Sequence, residues 1–185
     1  MQNYKLIIFI LIGVVCLSAS SVYAETAEEY FTHGCVSYNQ GNLPQAIANY
    51  TKAIAIKPDY AAAYNNRGLV YFRLHNFIQA IADYTKAIAL DPNFAAAYNN
   101  RGQANHNLGT LYGNQRNFVQ AIADYNKAID LDPNYALAYY NRGFTYFMIK
   151  DYGQAWLDVY EAEGLGATIN PEFLAALKEA SGRDK

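Results

Sequence analysis

The chain has 185 residues, 52% of them hydrophobic and 16% charged, so it carries enough apolar surface for a core and is not a disordered segment. Its net charge of −2, with histidines neutral, excludes capture of nucleic acid by bulk charge.

Met1 to Lys5 carries one positive charge, Leu6 to Leu17 is a near-continuous apolar run, and Val22-Tyr23-Ala24 places small residues ahead of a cut. This is the layout of a signal peptide over residues 1–24. An uncleaved anchor is the competing reading, but a spanning helix wants ~20 apolar residues and this run stops at Ser18-Ala19-Ser20-Ser21. A lipid anchor at Cys16 would need a small residue directly before it, and Val15 stands there. The expectation is an exported product, periplasmic or secreted, with no integral membrane segment after cleavage. That product carries 13 basic residues (14 less Lys5) against 16 acidic ones, a net charge of −3. Cys35 is its single cysteine, so no internal disulfide can form and stability rests on packing.

The remainder repeats itself. Tyr64-Asn65-Asn66-Arg67-Gly68 returns as Tyr98-Asn99-Asn100-Arg101-Gly102 and as Tyr139-Tyr140-Asn141-Arg142-Gly143. The block Gln79 to Ile88 returns from Gln120 to Ile129 and, more loosely, stands earlier from Gln45 to Ile54. Each block ends in a proline turn, at Pro58, Pro92 and Pro133. Pro58 and Pro92 lie 34 residues apart, and this period together with the residues inside each unit resembles the tetratricopeptide-repeat family. The family's early aromatic corresponds to Tyr30, Tyr64, Tyr98 and Tyr139. Its glycine corresponds to Gly34, Gly68, Gly102 and Gly143, and its mid-unit alanine to Ala46, Ala80, Ala121 and Ala155.

The resemblance implies an all-α, right-handed solenoid of four helix-turn-helix units, at 27–60, 61–94, 95–135 and 136–169. Small residues let two antiparallel helices approach, and Tyr, Ile and Phe at helical spacing fill the gaps. Proline ends the second helix of each unit, after which Asp59, Asn93 and Asn134 are expected to cap the next. The last unit has Gly164 and Gly166 where the others have a proline. Asn170-Pro171-Glu172 followed by Phe173, Leu174 and Leu177 reads as a capping helix over 170–180.

Pro92 to Pro133 spans 41 residues, so the third unit holds a seven-residue insertion, placed here in its first helix within Gly102 to Tyr112. Two helical turns use about 7.2 residues, so a longer helix keeps its register. A loop around Asn105 to Gly109 is the competing reading, because Gly, Asn and Thr are poor helix formers.

In arrays of this family the first helices line a concave groove. That implies a groove formed by Phe31, Cys35 and Tyr38, then Asn66, Leu69, Phe72 and Arg73, then Asn100, then Tyr140, Asn141, Phe144, Phe147 and Met148. Asn107 is a second candidate in the third unit. The end helix or a second copy covering the Phe144–Phe147 end is the alternative. Asn66, Asn100 and Asn141 share one place in three units and resemble the asparagine ladders with which some members hold an extended peptide through its backbone. A clamp for acidic chaperone C-termini needs basic residues on this face, where Phe31, Ala96 and Asn100 stand instead. Tyr84 and Tyr125, like the early aromatics, are expected in the core. Arg67, Arg101 and Arg142 accompany Asp83, Asp124 and Asp158 at matching places, which predicts a buried or half-buried ion pair in each of three units.

His33, His75 and His106 are scattered, with no zinc spacing, nucleophile elbow or phosphate loop, so neither catalysis nor a metal nor a cofactor is expected. The reading is a scaffold for another protein or peptide, with homo-oligomers possible. The rival is a structural component that assembles through its apolar ends within an envelope or secretion complex.

Overall fold

A computed structural model describes residues 25–183, so the expected signal segment, 1–24, lies outside the described residues. Among these residues there are nine helices and no strand. They pair as α1 (Ala27–Asn39) with α2 (Leu43–Ile56), α3 (Ala61–Arg73) with α4 (Phe77–Leu90), α5 (Ala95–Tyr112) with α6 (Gln115–Leu131), and α7 (Ala136–Met148) with α8 (Tyr152–Gly164). The ninth, α9 (Pro171–Ser181), follows. No described helix is long and apolar enough to cross a membrane.

Local sequence sets each hairpin. The first helix of a unit ends in a residue with left-handed backbone, at Gly41, His75, Gly113 and Lys150. The next amide bonds back to a carbonyl five residues earlier, as from Asn76 to Tyr71 at 2.9 Å. This Schellman closure satisfies carbonyls that the helix end leaves free. The residue making that bond also caps the following helix: Asn42, Asn76, Asn114 and Asp151 accept from amides in its first turn. Between units the expectation fails. Tyr60, Phe94 and Tyr135 occupy the cap positions without side-chain bonds. Asp59, Asn93 and Asn134 lie one residue too early and contribute only backbone carbonyls, to Ala61, Ala95 and Ala136.

Within a hairpin, glycine meets tyrosine. A Cβ on Gly68 would stand 2.7 Å from the ring of Tyr84, and one on Gly102 would stand 2.7 Å from Tyr125. Tyr50, Tyr84 and Tyr125 are buried in consequence. In the fourth unit Val159 replaces the tyrosine, and Gly143 instead faces Asp158 Cβ at 2.9 Å and the Ala155 carbonyl.

The insertion is shared between both arms rather than confined to the first. α5 has 18 residues against 13 in α3, and α6 has 17 against 14 in α4. About one extra turn on each antiparallel arm totals close to 7.2 residues, so both faces stay in phase. The added turn copies the small-on-large contact of the hairpin. Gly109, seven residues beyond Gly102, would bring a Cβ within 3.1 Å of Phe118, seven residues before Tyr125. Asn105 to Gly109 is therefore helical, and Asn105, His106 and Gly109 are buried.

Three arginines tie adjacent units together. Arg67 donates through Nε and Nη2 to both carboxylate oxygens of Asp83 at 2.8 Å, and through Nη1 to Thr51 of the preceding unit at 3.0 Å. Arg101 does the same to Asp124, at 3.0 and 2.7 Å, and to Thr85. Arg142 reaches Asp158 at 2.8 and 2.6 Å, and Asn126. Each guanidinium also lies over the early tyrosine of its own unit, at 5.4 to 5.7 Å from the ring centre. The first unit lacks this arginine–aspartate pair. It carries His33 and Asn49 instead, with Asn49 donating to Ser37 at 3.3 Å.

Beyond α8, Trp156, Val159, Ile169, Phe173 and Leu177 form a buried cluster that seats α9. Asn170 caps α9 by accepting from Glu172 and Phe173, and Trp156 Nε1 donates to Ser181 at 3.0 Å.

Candidate functional site

The first helices α1, α3, α5 and α7 each touch their counterpart in the next unit, whereas direct contact between successive second helices is at most marginal. The stack therefore curves with the first helices inside. Two rows on this inner face follow the glycine of each unit. One position on stand Cys35, Leu69, Gln103 and Phe144; four positions on stand Tyr38, Phe72, His106 and Phe147.

The asparagines knit the inner helices together. Asn100 Nδ2 donates to Asn65 Oδ1 at 3.0 Å, and Asn141 Nδ2 donates to Asn99 Oδ1 at 2.9 Å. Asn66 finds phenylalanine (Phe31) rather than an amide at the matching place in the first unit, and donates instead to Cys35 Sγ at 3.7 Å. Each residue of the expected ladder thus gives one N–H to its neighbour unit. Asn107 donates to the Gln103 carbonyl within its own helix.

Two cavities open on this face. The first, about 200 Å³, is lined by Cys35, Tyr38, Asn39, Tyr50, Asn66 and Leu69. Arg73 flanks it, with its guanidinium 4.9 Å from the centre of the Tyr38 ring. The second, about 260 Å³, is lined by Phe72, Gln103, His106, Asn107, Tyr125, Asn141 and Phe144. In the unit between them Tyr84 is wholly buried and its hydroxyl has no partner. Burial raises the phenols of Tyr50, Tyr84 and Tyr125, so all three remain protonated near neutrality.

Several residues assigned to the groove are engaged elsewhere. Phe31 packs on Tyr50 and Tyr60, with ring centres 5.8 and 5.0 Å apart, at the junction of the first two units. Tyr140, Phe144 and Phe147 receive Phe173 of α9 at 5.9, 5.0 and 5.5 Å. The end helix thereby covers that patch. Phe144 also lines the second cavity, whereas Met148 lines neither cavity and is exposed. Tyr38, Asn66, Leu69, Phe72 and Asn141 remain on cavity walls, and Asn100 lies half-buried between the cavities.

Of the residues lining the two cavities, sequence reading missed Asn39, Tyr50, Gln103 and His106, and took Tyr125 for core alone. His106 stands where the second and fourth units have Phe72 and Phe147, and that break in an aromatic row was the available signal. Its ring lies 5.5 Å from Phe118 and 5.3 Å from Phe144, and Nδ1 is 2.8 Å from Thr145 Oγ1. Burial lowers its imidazole to about 4. The unfolded chain protonates this group near 6.5 and the folded chain near 4, so the unfolded state binds the extra proton between them. Stability is then complete above pH 6.5 and falls as pH drops towards 4, by about 3 kcal/mol from this residue. Urea denaturation at pH 7.5 and 4.5 should show wild type losing about 2–3 kcal/mol more than His106→Phe. Equal losses in the two proteins would refute this.

Stacked helical hairpins with a curved inner face define a helical-repeat scaffold. The TPR repeat profile matches residues 34–74 and 117–150, and two tetratricopeptide-repeat profiles match 61–94 and 83–123. The chain belongs to the tetratricopeptide-repeat family. No curated protein matches it. Among solved structures it is similar to the first TPR of Spaghetti (RPAP3) bound to the HSP90 peptide SRMEEVD. That match has 28% identity and a TM-score of 0.62 over 67% of this chain and 93% of that one. It is similar to the Arabidopsis OM64 TPR domain at 28% identity and a TM-score of 0.61, over 66% and 96% of the two chains. It is also similar to the MamA protein at 25% identity and a TM-score of 0.71, over 85% and 84%.

Proposed function

We propose that this chain is an exported scaffold whose inner groove holds an extended, largely uncharged segment of another protein. Domains of this family mediate protein–protein interaction, and one structural neighbour carries a bound peptide. The observation that carries the reading is the lining of the two inner cavities, which is apolar, aromatic and amide throughout. The Oδ1 atoms of Asn100 and Asn141 accept no hydrogen bond among the described residues, which suits them to a guest's backbone N–H groups. The same lining disfavours an acidic guest such as SRMEEVD, because Arg73 is the one cation beside it among the described residues and that group is stacked on Tyr38. Export rests on the layout of residues 1–24. No residue constellation supports catalysis, and no group of three metal-ligating side chains occurs among the described residues.

A spot array of random seven-residue peptides tests the reading. Uncharged, aromatic-containing peptides should bind above SRMEEVD, and Asn39→Glu plus Gln103→Glu, at the two cavities, should weaken them at least tenfold with Tm unchanged. Binding led by SRMEEVD, or indifferent to both substitutions, would overturn it. The rival, assembly with a second copy, is favoured by one feature. Leu111, Tyr112 and Val119 at the tip of the lengthened hairpin are 63%, 69% and 65% exposed. Light scattering of the same sample decides between them, since a monomer that retains peptides leaves assembly unsupported.

A further inference from the structure

The second cavity contains a feature absent from the first, a buried imidazole bonded to a hydroxyl. The Thr145 hydroxyl has one proton, and it is given to the Asn141 carbonyl at 2.8 Å. On that basis we assign the 2.8 Å contact between Thr145 Oγ1 and His106 Nδ1 to an Nδ1–H donor. Neutral imidazole carries a single N–H, so Nε2 presents a lone pair. His106 is only 9% exposed and lines the cavity, yet Nε2 has no hydrogen-bond partner among the described residues and is not among their fully enclosed polar atoms. The rest of the wall is Phe72, Phe144 and Tyr125 and the amides of Gln103, Asn107 and Asn141, with no charged group among them.

We infer that this cavity is a specificity pocket for one side chain of the bound segment, an aromatic ring bearing a hydrogen-bond donor: the phenol of tyrosine or the indole of tryptophan. The phenylalanine walls take the ring. Nε2 takes the O–H or N–H proton, which pairs an otherwise unsatisfied buried acceptor. Phenylalanine fits the walls and leaves Nε2 unpaired, and a carboxylate finds no cation and no donor on this imidazole. Thr145 is a positioning residue, since its hydroxyl fixes which nitrogen carries the proton.

The inference rests on the groove reading, but its test needs no peptide. The ¹⁵N-labelled protein at pH 7.5 is titrated with p-cresol, 3-methylindole, toluene and 4-methylbenzoate while the imidazole resonances are followed. Phenol or indole should bind roughly 3- to 10-fold more tightly than toluene and move His106 Nε2, with 4-methylbenzoate weakest. The tighter of the first two names the residue recognised. His106→Phe, which restores the side chain of the neighbouring units, should abolish the preference. Thr145→Val, which copies Val70 of the second unit, should shift the proton towards Nε2 in the imidazole spectrum and reduce the preference. Toluene binding as well as p-cresol, shifts centred elsewhere, or an unchanged preference in Thr145→Val would overturn the proposal. A protein that retains peptides but ignores p-cresol loses this inference alone. One that binds p-cresol here but retains no peptide loses the groove reading alone.

Discussion

Replacing Asp124 with alanine should destabilise the chain by about 3–5 kcal/mol, the usual cost of leaving one partner of a buried ion pair alone. Asp124 is 3% exposed and Arg101 17%, so the stranded guanidinium keeps a desolvated charge with few alternative acceptors. The carboxylate also accepts from Asn105 at 3.5 Å, and that amide would lose its partner. The Tm should fall by roughly 10 °C. High salt should not reproduce the effect, because the pair is shielded from counter-ions. Arg101 also grips Thr85 of the second unit, so the variant should weaken coupling between units as well as the hairpin itself. In a linear array this appears as a broader denaturant transition with a lower m-value. Thr85→Val, which removes only the inter-unit bond, should cost about 1 kcal/mol and thereby separate the two contributions. A Tm within 2 °C of wild type for Asp124→Ala would show that the fork is cosmetic.

The ion pairs were readable in the sequence because charge and position change together: where His33 replaces the arginine, Asn49 replaces the aspartate. The period, the prolines and the alternation of small and large residues were readable for a similar reason, since each is a residue type at a fixed spacing. Division of the insertion between two arms was not. Gly102 and Ala121 anchor the register on either side, and a hydrophobic period of seven fits two turns on one arm as well as one turn on each. Nor could the sequence show that Asn100 and Asn141 each hand an N–H to Asn65 and Asn99. Neighbouring positions on a helix differ by about 100°, and which one meets the next unit depends on the curvature of the stack. Phe144 and Phe147 looked like groove residues because the pattern of one unit says nothing about what closes the end of the array.

That closure can be tested, and Phe173→Ala should cost about 3–5 kcal/mol, as for a buried aromatic whose cavity cannot collapse. Phe173 is 5% exposed and its ring meets Tyr140, Phe144 and Phe147, so it is the contact through which α9 reaches α7 as well as α8. The fourth unit is built to need it. Tyr140 replaces the asparagine that accepts the ladder bond in earlier units, so a fifth hairpin would find an aromatic ring where Asn65 and Asn99 offer a carbonyl. Once α9 loosens, the tyrosine and both phenylalanines become a continuous apolar patch beside the second cavity. Phe173→Ala should therefore bind a hydrophobic dye more strongly than wild type and associate at lower concentration than wild type. A monomeric, dye-silent variant with wild-type Tm would mean that Trp156, Ile169 and Leu177 hold α9 unaided, and that the aromatic contacts on α7 contribute little to closing the array.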